Sequence, residues 1–189
     1  MSTTWIVVIV VVIAAVFLLT IYNRLVALRQ AYKNAYADID VQMKQRHDLV
    51  PNLVETVKGY AAHESGVLQK VTEARTAAMR ANTVQERSQA EGQLTAALGR
   101  IFAVAEAYPQ LKANDNFRQL QTELEEIENK IAAARRYFNN AVAEYNTHIQ
   151  QFPAALIAGM AGFAPAEMWA LDAGEKAAAN EPPKVSFGG

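Results

Sequence analysis

Cysteine is absent from this chain of 189 residues. Its absence excludes disulfide bonds, thiolate metal sites and cysteine nucleophiles. A dominant charge is lacking too, because 18 Lys and Arg residues balance 19 Asp and Glu residues. Balanced charge offers no field that would attract nucleic acid, and no acidic excess that would favour disorder. We therefore expect no nucleic-acid partner.

The chain also lacks the histidine pattern of a di-iron helical bundle, which needs paired Glu-x-x-His motifs. None of His47, His63 and His148 has a glutamate three residues before it. Glu144 lies four residues before His148, but one pair cannot build such a site, so we read His148 as a core histidine. The phosphate-binding and serine-nucleophile motifs are missing as well. We predict no enzyme, no cofactor and no metal site.

Glycine and proline are missing from the first 50 residues, which contain the longest apolar run of the chain. The run starts at Trp5 and ends at Tyr22, and aromatic residues are typical of the headgroup level. Its length suits a short transmembrane helix. No Lys or Arg precedes the run and no Ala-x-Ala site follows it, which favours an anchor over a cleaved signal peptide. The predicted membrane anchor consists of Trp5, Ile6, Val7, Val8, Ile9, Val10, Val11, Val12, Ile13, Ala14, Ala15, Val16, Phe17, Leu18, Leu19, Thr20, Ile21 and Tyr22.

Basic residues follow the apolar run, beginning with Arg24, Arg29 and Lys33. The positive-inside rule therefore places the N-terminus outside and the folded domain in the cytoplasm. Because no helix breaker occurs before Pro51, we interpret residues 5–50 as one continuous helix, half in lipid and half in water.

The spacing of apolar residues predicts three further helices. Pro51 predicts an end of the first helix near His47 and a second helix from Leu49 to Arg80. Thr83 and Glu86 form a capping-box pattern for the third helix, which stops around Tyr108–Pro109. In the fourth helix, ended by Pro153, apolar residues recur every three or four positions; the members of this seam are Phe117, Leu120, Leu124, Ile127, Ile131, Ala134, Phe138, Ala141, Tyr145, His148 and Phe152.

The predicted fold is all-α, with a single N-terminal transmembrane helix that continues into the first helix of an antiparallel four-helix bundle. A short apolar C-terminal helix and a tail complete it. We divide the chain into an N-terminal tail and transmembrane helix (1–22), the bundle (23–152), the apolar helical segment (153–170) and the C-terminal tail (171–189).

Several polar features leave two interpretations open. Gln42 and Arg46 fall on the apolar seam of the first helix, either because the face drifts to Met43 or because they form a buried polar pair that fixes helix register. The acidic run from Glu123 to Glu128 is most simply a solvated face. Glycines spaced by seven residues in helices two and three indicate either close helix contacts or tolerated surface positions.

A candidate interaction surface combines polar residues after Pro51 with apolar residues after Pro153. The polar set could equally be a solvated face, and the apolar set could pack on the bundle instead of lying at an interface. The candidate residues are Asn52, Glu55, Lys58, Glu64, Leu156, Ile157 and Phe163.

Two long blocks resemble the LemA family of bacterial membrane proteins. They are YNRLVALRQAYKNAYADIDVQMKQRHDLVPNLVETVKGYAAHE, from Tyr22 to Glu64, and YFNNAVAEYNTHIQQFPAALIAGMAGF, from Tyr137 to Phe163. The closing PPKVSF also resembles the family's ending, whereas the Ala-rich stretch before it departs. The resemblance implies a single N-terminal membrane helix, a soluble four-helix bundle and a place in the bacterial inner membrane.

A relative in that family works in forming the magnetosome membrane, so the resemblance implies scaffolding more than catalysis. We expect a membrane-anchored scaffold that self-associates as a homo-oligomer or recruits a protein partner and shapes the bilayer. The alternative is a monomeric adaptor for an envelope protease or a signalling kinase.

Overall fold

The computed structural model describes residues 3–170. The predicted C-terminal tail, residues 171–189, lies outside the described residues. Within them every regular element is helical and no strand occurs. The helices are α1 (Thr3–Lys58), a 3-10 turn (Ala62–Glu64), α2 (Ser65–Arg80), α3 (Val84–Ala105), α4 (Pro109–Lys112), α5 (Asp115–His148) and α6 (Ala154–Met160). The predicted all-α class with a long apolar N-terminal helix is confirmed.

Helix α1 contains the whole apolar run and continues beyond it without interruption. This stretch is long and apolar enough to cross a bilayer, and none of it is buried inside the protein. A lipid-facing helix needs apolar side chains on all sides because hydrocarbon surrounds it, and its backbone groups are paired within the helix. The helix is therefore compatible with a single-pass membrane protein.

The predicted helix end near His47 is wrong, because α1 runs through Pro51 to Lys58. Proline has no N–H to donate to the carbonyl four residues earlier, which belongs to His47. That carbonyl accepts a hydrogen bond of 2.7 Å from Nε of Arg75 in α2 instead. Helix α1 ends at Lys58, and Gly59 and Tyr60 form a turn. Ala61, which is buried, comes directly before the 3-10 turn.

The third predicted helix begins where the sequence indicates, whereas the fourth ends earlier than predicted. The capping box is confirmed, since Thr83 and Glu86 each bond the other's backbone N–H at the start of α3. Helix α5 ends at His148, before the predicted end at Pro153. Its buried seam also drifts by one residue, so Val142 and Ile149 are buried while Phe152 is 83% exposed. The drift follows from 3.6 residues per turn against a strict heptad spacing of 3.5.

The described chain forms two compact units. Unit 1 comprises residues 3–42 with Lys130–Met168, and unit 2 comprises Met43–Asn129 with Trp169 and Ala170. In unit 2, apolar residues from α1, α2, α3 and α5 share one core, represented by Leu53, Val71, Leu94, Ile101 and Phe117.

Glycine does not mediate close helix contacts at two of the predicted positions. A Cβ added at Gly66 or Gly99 would meet nothing within 4 Å. Close backbone approach inside the described chain therefore does not explain these two residues, and contact with another copy stays a prediction.

Candidate functional site

A largely buried group of charged and polar residues lies in unit 2, and we call it the charge cluster: Arg46, His47, Glu91, Thr95 and Glu128. The guanidinium of Arg46 is fully buried, with a relative exposure of 1%. It donates to the carboxylates of Glu91 and Glu128 through two different nitrogens. It also donates to the hydroxyl of Thr95 at 2.9 Å. One cation thus joins side chains from α1, α3 and α5.

Glu91 accepts hydrogen bonds from two neighbouring residues of α1. One carboxylate oxygen pairs with Arg46, and the other lies 2.7 Å from Nε2 of His47. Burial, the largest single influence, acts to raise the pKa of Glu91, but the bond to His47 and the charge of Arg46 together outweigh it. The net effect is a pKa of Glu91 below its usual value, so Glu91 is a carboxylate at neutral pH.

The sequence indicated part of this cluster. Of the buried polar pair that the seam predicts, Arg46 is buried and reaches across to other helices, whereas the effect on helix register stays a prediction. Met43 is buried too, while Gln42 is only half-buried, so the face also drifts as the other interpretation expected. Glu91 was missed although it lies three residues before Leu94, on the same face of the helix.

Glu128 was also misassigned, because it belongs to the acidic run that we interpreted as a solvated face. Its side chain is 34% exposed and pairs with Arg46. The cluster contains paired charges and no exposed nucleophile. Among residues 3–170, no group of three His, Asp or Glu residues is placed to hold a metal ion.

A second group, in unit 1, joins the end of the apolar run to the residues after α5. We call it the juxtamembrane core: Leu25, Leu28, Tyr145, Ile149, Ala154, Ala158 and Phe163. Phe163 makes an edge contact with Tyr22, with ring centroids 5.9 Å apart. Cζ of Arg29 lies 4.7 Å from the centroid of the same Phe163 ring.

Hydrogen bonds fix the chain that follows α6. The hydroxyl of Tyr145 donates to the carbonyl of Ala164 at 2.9 Å. The side-chain amide of Asn146 bonds both the N–H and the carbonyl of Ala166, each at 2.8 Å. Burial raises the pKa of Tyr145, so its hydroxyl remains a donor. Residues 164–166 are therefore held to α5 although they form no regular structure.

The polar residues of the candidate interaction surface lie on two different elements. Asn52, Glu55 and Lys58 are exposed on α1, and Lys58 lies 3.7 Å from Glu55. Glu64 lies in the 3-10 turn and accepts a hydrogen bond of 3.4 Å from the hydroxyl of Tyr108.

The three apolar candidates have different surroundings. Leu156 is 62% exposed, Ile157 is half-buried against the juxtamembrane core, and Phe163 is buried within it. The structure therefore presents Leu156 to the surface and gives Phe163 a packing role.

A comparison with known proteins decides the family. The model of the LemA family matches residues 35–187, which is most of the chain. The chain belongs to the LemA family. The resemblance seen in the two sequence blocks is thereby confirmed. The charge cluster falls entirely inside the matched region, whereas the apolar run precedes it.

Individual LemA-family relatives are distant. The chain is 27% identical to Magnetosome protein MamQ 2 of Paramagnetospirillum magneticum, with 79% of this chain and 65% of that protein covered. It is 25% identical to Magnetosome protein MamQ of Magnetospirillum gryphiswaldense, with 77% and 63% covered. Protein LemA of Metamycoplasma hominis is 27% identical, with 69% and 60% covered. The chain thus spans slightly less than two thirds of the length of these relatives.

Proposed function

We propose that this LemA-family chain is a membrane-anchored helical scaffold of the bacterial inner membrane. It gathers copies of itself, or partner proteins, and shapes the bilayer through its anchors. Its helices form the antiparallel bundle predicted from the sequence, and the chain catalyses no reaction and holds no cofactor.

The observation that carries this proposal is the uninterrupted passage of α1 from the apolar run into the juxtamembrane core. A flexible linker would let a domain move independently of its anchor. Here the residues just beyond the run, Leu25 and Leu28, are buried against the chain that follows α5. A scaffold needs such coupling, because gathering the folded parts then also gathers the membrane helices.

The proposed orientation has the N-terminus outside and the remainder of the chain in the cytoplasm, in accord with the basic residues that follow the run. The lack of cysteine makes this easy to check. Ser2→Cys and Gln151→Cys variants in intact cells should differ in labelling by a membrane-impermeant maleimide. Only Ser2→Cys should react before lysis, and the reverse pattern would contradict the orientation.

Self-association is measured directly by the mass of the protein extracted in mild detergent. We expect a defined oligomer whose mass persists on dilution, and remodelling of liposomes that contain it. A strict monomer that leaves liposomes unchanged would contradict the assembly and membrane-shaping part of the proposal.

The second candidate is a monomeric adaptor for an envelope protease or a signalling kinase. The exposed polar side chains of Asn52, Glu55 and Lys58 favour it, because a solvent-facing row on a rigid helix suits a docking partner. Crosslinking in cells followed by mass spectrometry separates the candidates. Self-crosslinks support the scaffold, whereas one dominant heterologous partner supports the adaptor.

A further inference from the structure

Three large apolar side chains are exposed in α6 and just before it, and we call them the apolar ridge: Phe152, Leu156 and Met160. Their relative exposures are 83%, 62% and 91%. Successive members are four residues apart, which places Leu156 and Met160 on the same side of α6 and Phe152 just before it. Single exposed apolar residues need no explanation, but several large ones within nine residues of the chain indicate a contact surface.

The opposite side of α6 is fixed to the protein. Ala154 and Ala158 are buried in the juxtamembrane core, and Phe163 follows them into the same core. The hydrogen bonds from Tyr145 and Asn146 hold the chain that comes next. The ridge is therefore exposed because the opposite side of α6 packs in the juxtamembrane core.

The position of α6 along α1 points to the occupant of the ridge. Ile21 and Val26 of α1 pack against the juxtamembrane core together with Ile157 of α6. Tyr22, the last residue of the apolar run, touches Phe163. Helix α6 thus lies beside the residues where α1 leaves the bilayer, which is the level of the lipid headgroups.

The charge pattern around α6 agrees with that level. No Asp, Glu, Lys or Arg occurs between His148 and Glu167. Transfer of this stretch from water into lipid therefore does not remove water from any charged side chain within it. Arg24, which pairs with Glu144 at 2.6 Å, and Arg29, which lies over the Phe163 ring, are on the adjacent part of α1, where cations suit the phosphate layer of an anionic leaflet.

We propose that the apolar ridge inserts into the headgroup and upper acyl region of the membrane that α1 crosses. Helix α6 is then an interfacial amphipathic helix, with its small-residue face on the protein and its large apolar face in lipid. Each chain contacts the bilayer at two places, the span and the ridge. The inference rests on the membrane anchoring in the proposed function but does not require self-association.

Spin labelling of the full-length protein tests the inference. Single-cysteine variants Met160→Cys, Tyr137→Cys and Ala15→Cys are reconstituted at one copy per nanodisc of phosphatidylethanolamine and phosphatidylglycerol. Met160 and Tyr137 are both exposed residues of unit 1, at 91% and 61%, so neither label disturbs the core. The depth of each label is then measured by its collision rates with two reagents. Oxygen is enriched in lipid, whereas the nickel chelate is soluble in water.

We expect the Met160 label to collide more with oxygen and less with nickel than the Tyr137 label does. One copy per disc ensures that lipid, and no second chain, causes the protection. If Met160 and Tyr137 give the same water-like values while Ala15 is deep in lipid, the anchor stands and the ridge proposal falls. If Ala15 is also in contact with water, the membrane anchoring itself is wrong, and this inference falls with it.

Discussion

Arg46 shows how one residue can decide the packing of several helices. Its charge is buried, and two carboxylates and a hydroxyl surround it. Such an arrangement adds little stability compared with an apolar core of the same volume, but breaking it leaves a charge buried without a partner. We therefore expect the group to specify the alignment of α1, α3 and α5 within unit 2 more than it stabilises them.

Replacing Arg46 by Met should lower the free energy of unfolding by about 3–5 kcal/mol, because Glu91 then stays buried without its cation. Urea unfolding of the detergent-solubilised protein, followed by circular dichroism, measures the change. Lys44→Met is the matched control, since the Lys44 side chain is 77% exposed. It should change the free energy of unfolding by no more than about 0.5 kcal/mol.

The Arg46→Met and Glu91→Leu double variant should recover part of this loss, because an apolar pair replaces the buried ion pair, although His47 then loses the carboxylate that it bonds. Glu128 is left without its cation, but it is partly exposed and can be hydrated. A double variant as unstable as Arg46→Met alone would contradict this recovery.

The lowered pKa of Glu91 predicts a pH dependence of stability. A carboxyl group whose pKa is lower in the folded than in the unfolded state stabilises the protein at every pH above its unfolded-state pKa. For Glu91 that reference pKa is 4.5. This contribution is lost as the pH falls through the lower, folded value. The melting temperature should therefore fall on acidification below about pH 5, and fall less for Glu91→Gln than for the unsubstituted chain.

Other carboxyl groups also titrate in that window, including the exposed Glu86 and Asp48, whose pKa values are lowered by hydrogen bonds from Asn82 and from Lys44 respectively. They are present in both proteins, so the difference between the two curves isolates Glu91. Glu126→Gln, at an exposed position, is the control and should follow the unsubstituted curve. Parallel curves for Glu91→Gln would contradict the assignment.

At the scale of the element, α1 continues through Pro51 because a different helix completes its hydrogen bonding. The His47 carbonyl, which the proline ring cannot satisfy, accepts from Arg75. Arg75→Met should therefore destabilise the protein by about 1 kcal/mol. The free energy of unfolding measures this, with the exposed Arg80→Met as control.

Pro51→Ala provides the decisive comparison for Arg75. Alanine has an N–H that can donate to the carbonyl of His47, four residues before it. Arg75→Met should therefore cost clearly less in the Pro51→Ala background than in the unsubstituted chain. Equal costs in both backgrounds would mean that Arg75 acts through packing or charge and not by capping this carbonyl.

For the protein as a whole, the scaffold proposal depends on whether the apolar run and the remainder of unit 1 move as one body. Inserting Gly-Gly-Ser between Asn23 and Arg24 interrupts α1 just beyond the apolar run. Spin labels at Thr4→Cys and Tyr137→Cys should give a narrow distance distribution without the insertion and a broad one with it. The same insertion between Glu106 and Ala107, in the exposed turn after α3 in unit 2, is the control and should leave the distribution narrow.

Equally narrow distributions with the Asn23 insertion would show that continuity of α1 does not set the position of the anchor. The contact of Tyr22 with Phe163 would then be sufficient on its own. A broad distribution would assign the rigid connection to α1, and a narrow one would assign it to the side-chain contacts. The scaffold proposal requires one of these connections, because coupling between membrane helices requires a rigid connection.

Local patterns along the chain were enough to predict the apolar run, the all-α class, the capping box and the family. The spacing of apolar residues also placed Arg46 on a seam. The tertiary structure decided what local patterns leave open. A partner from another helix let α1 pass Pro51, and Glu91 and Glu128 were brought to Arg46 from distant segments. Phe152 was exposed because α5 ended at His148 and its buried face had drifted to Ile149, and packing between helices, not periodicity within one, sets such endpoints.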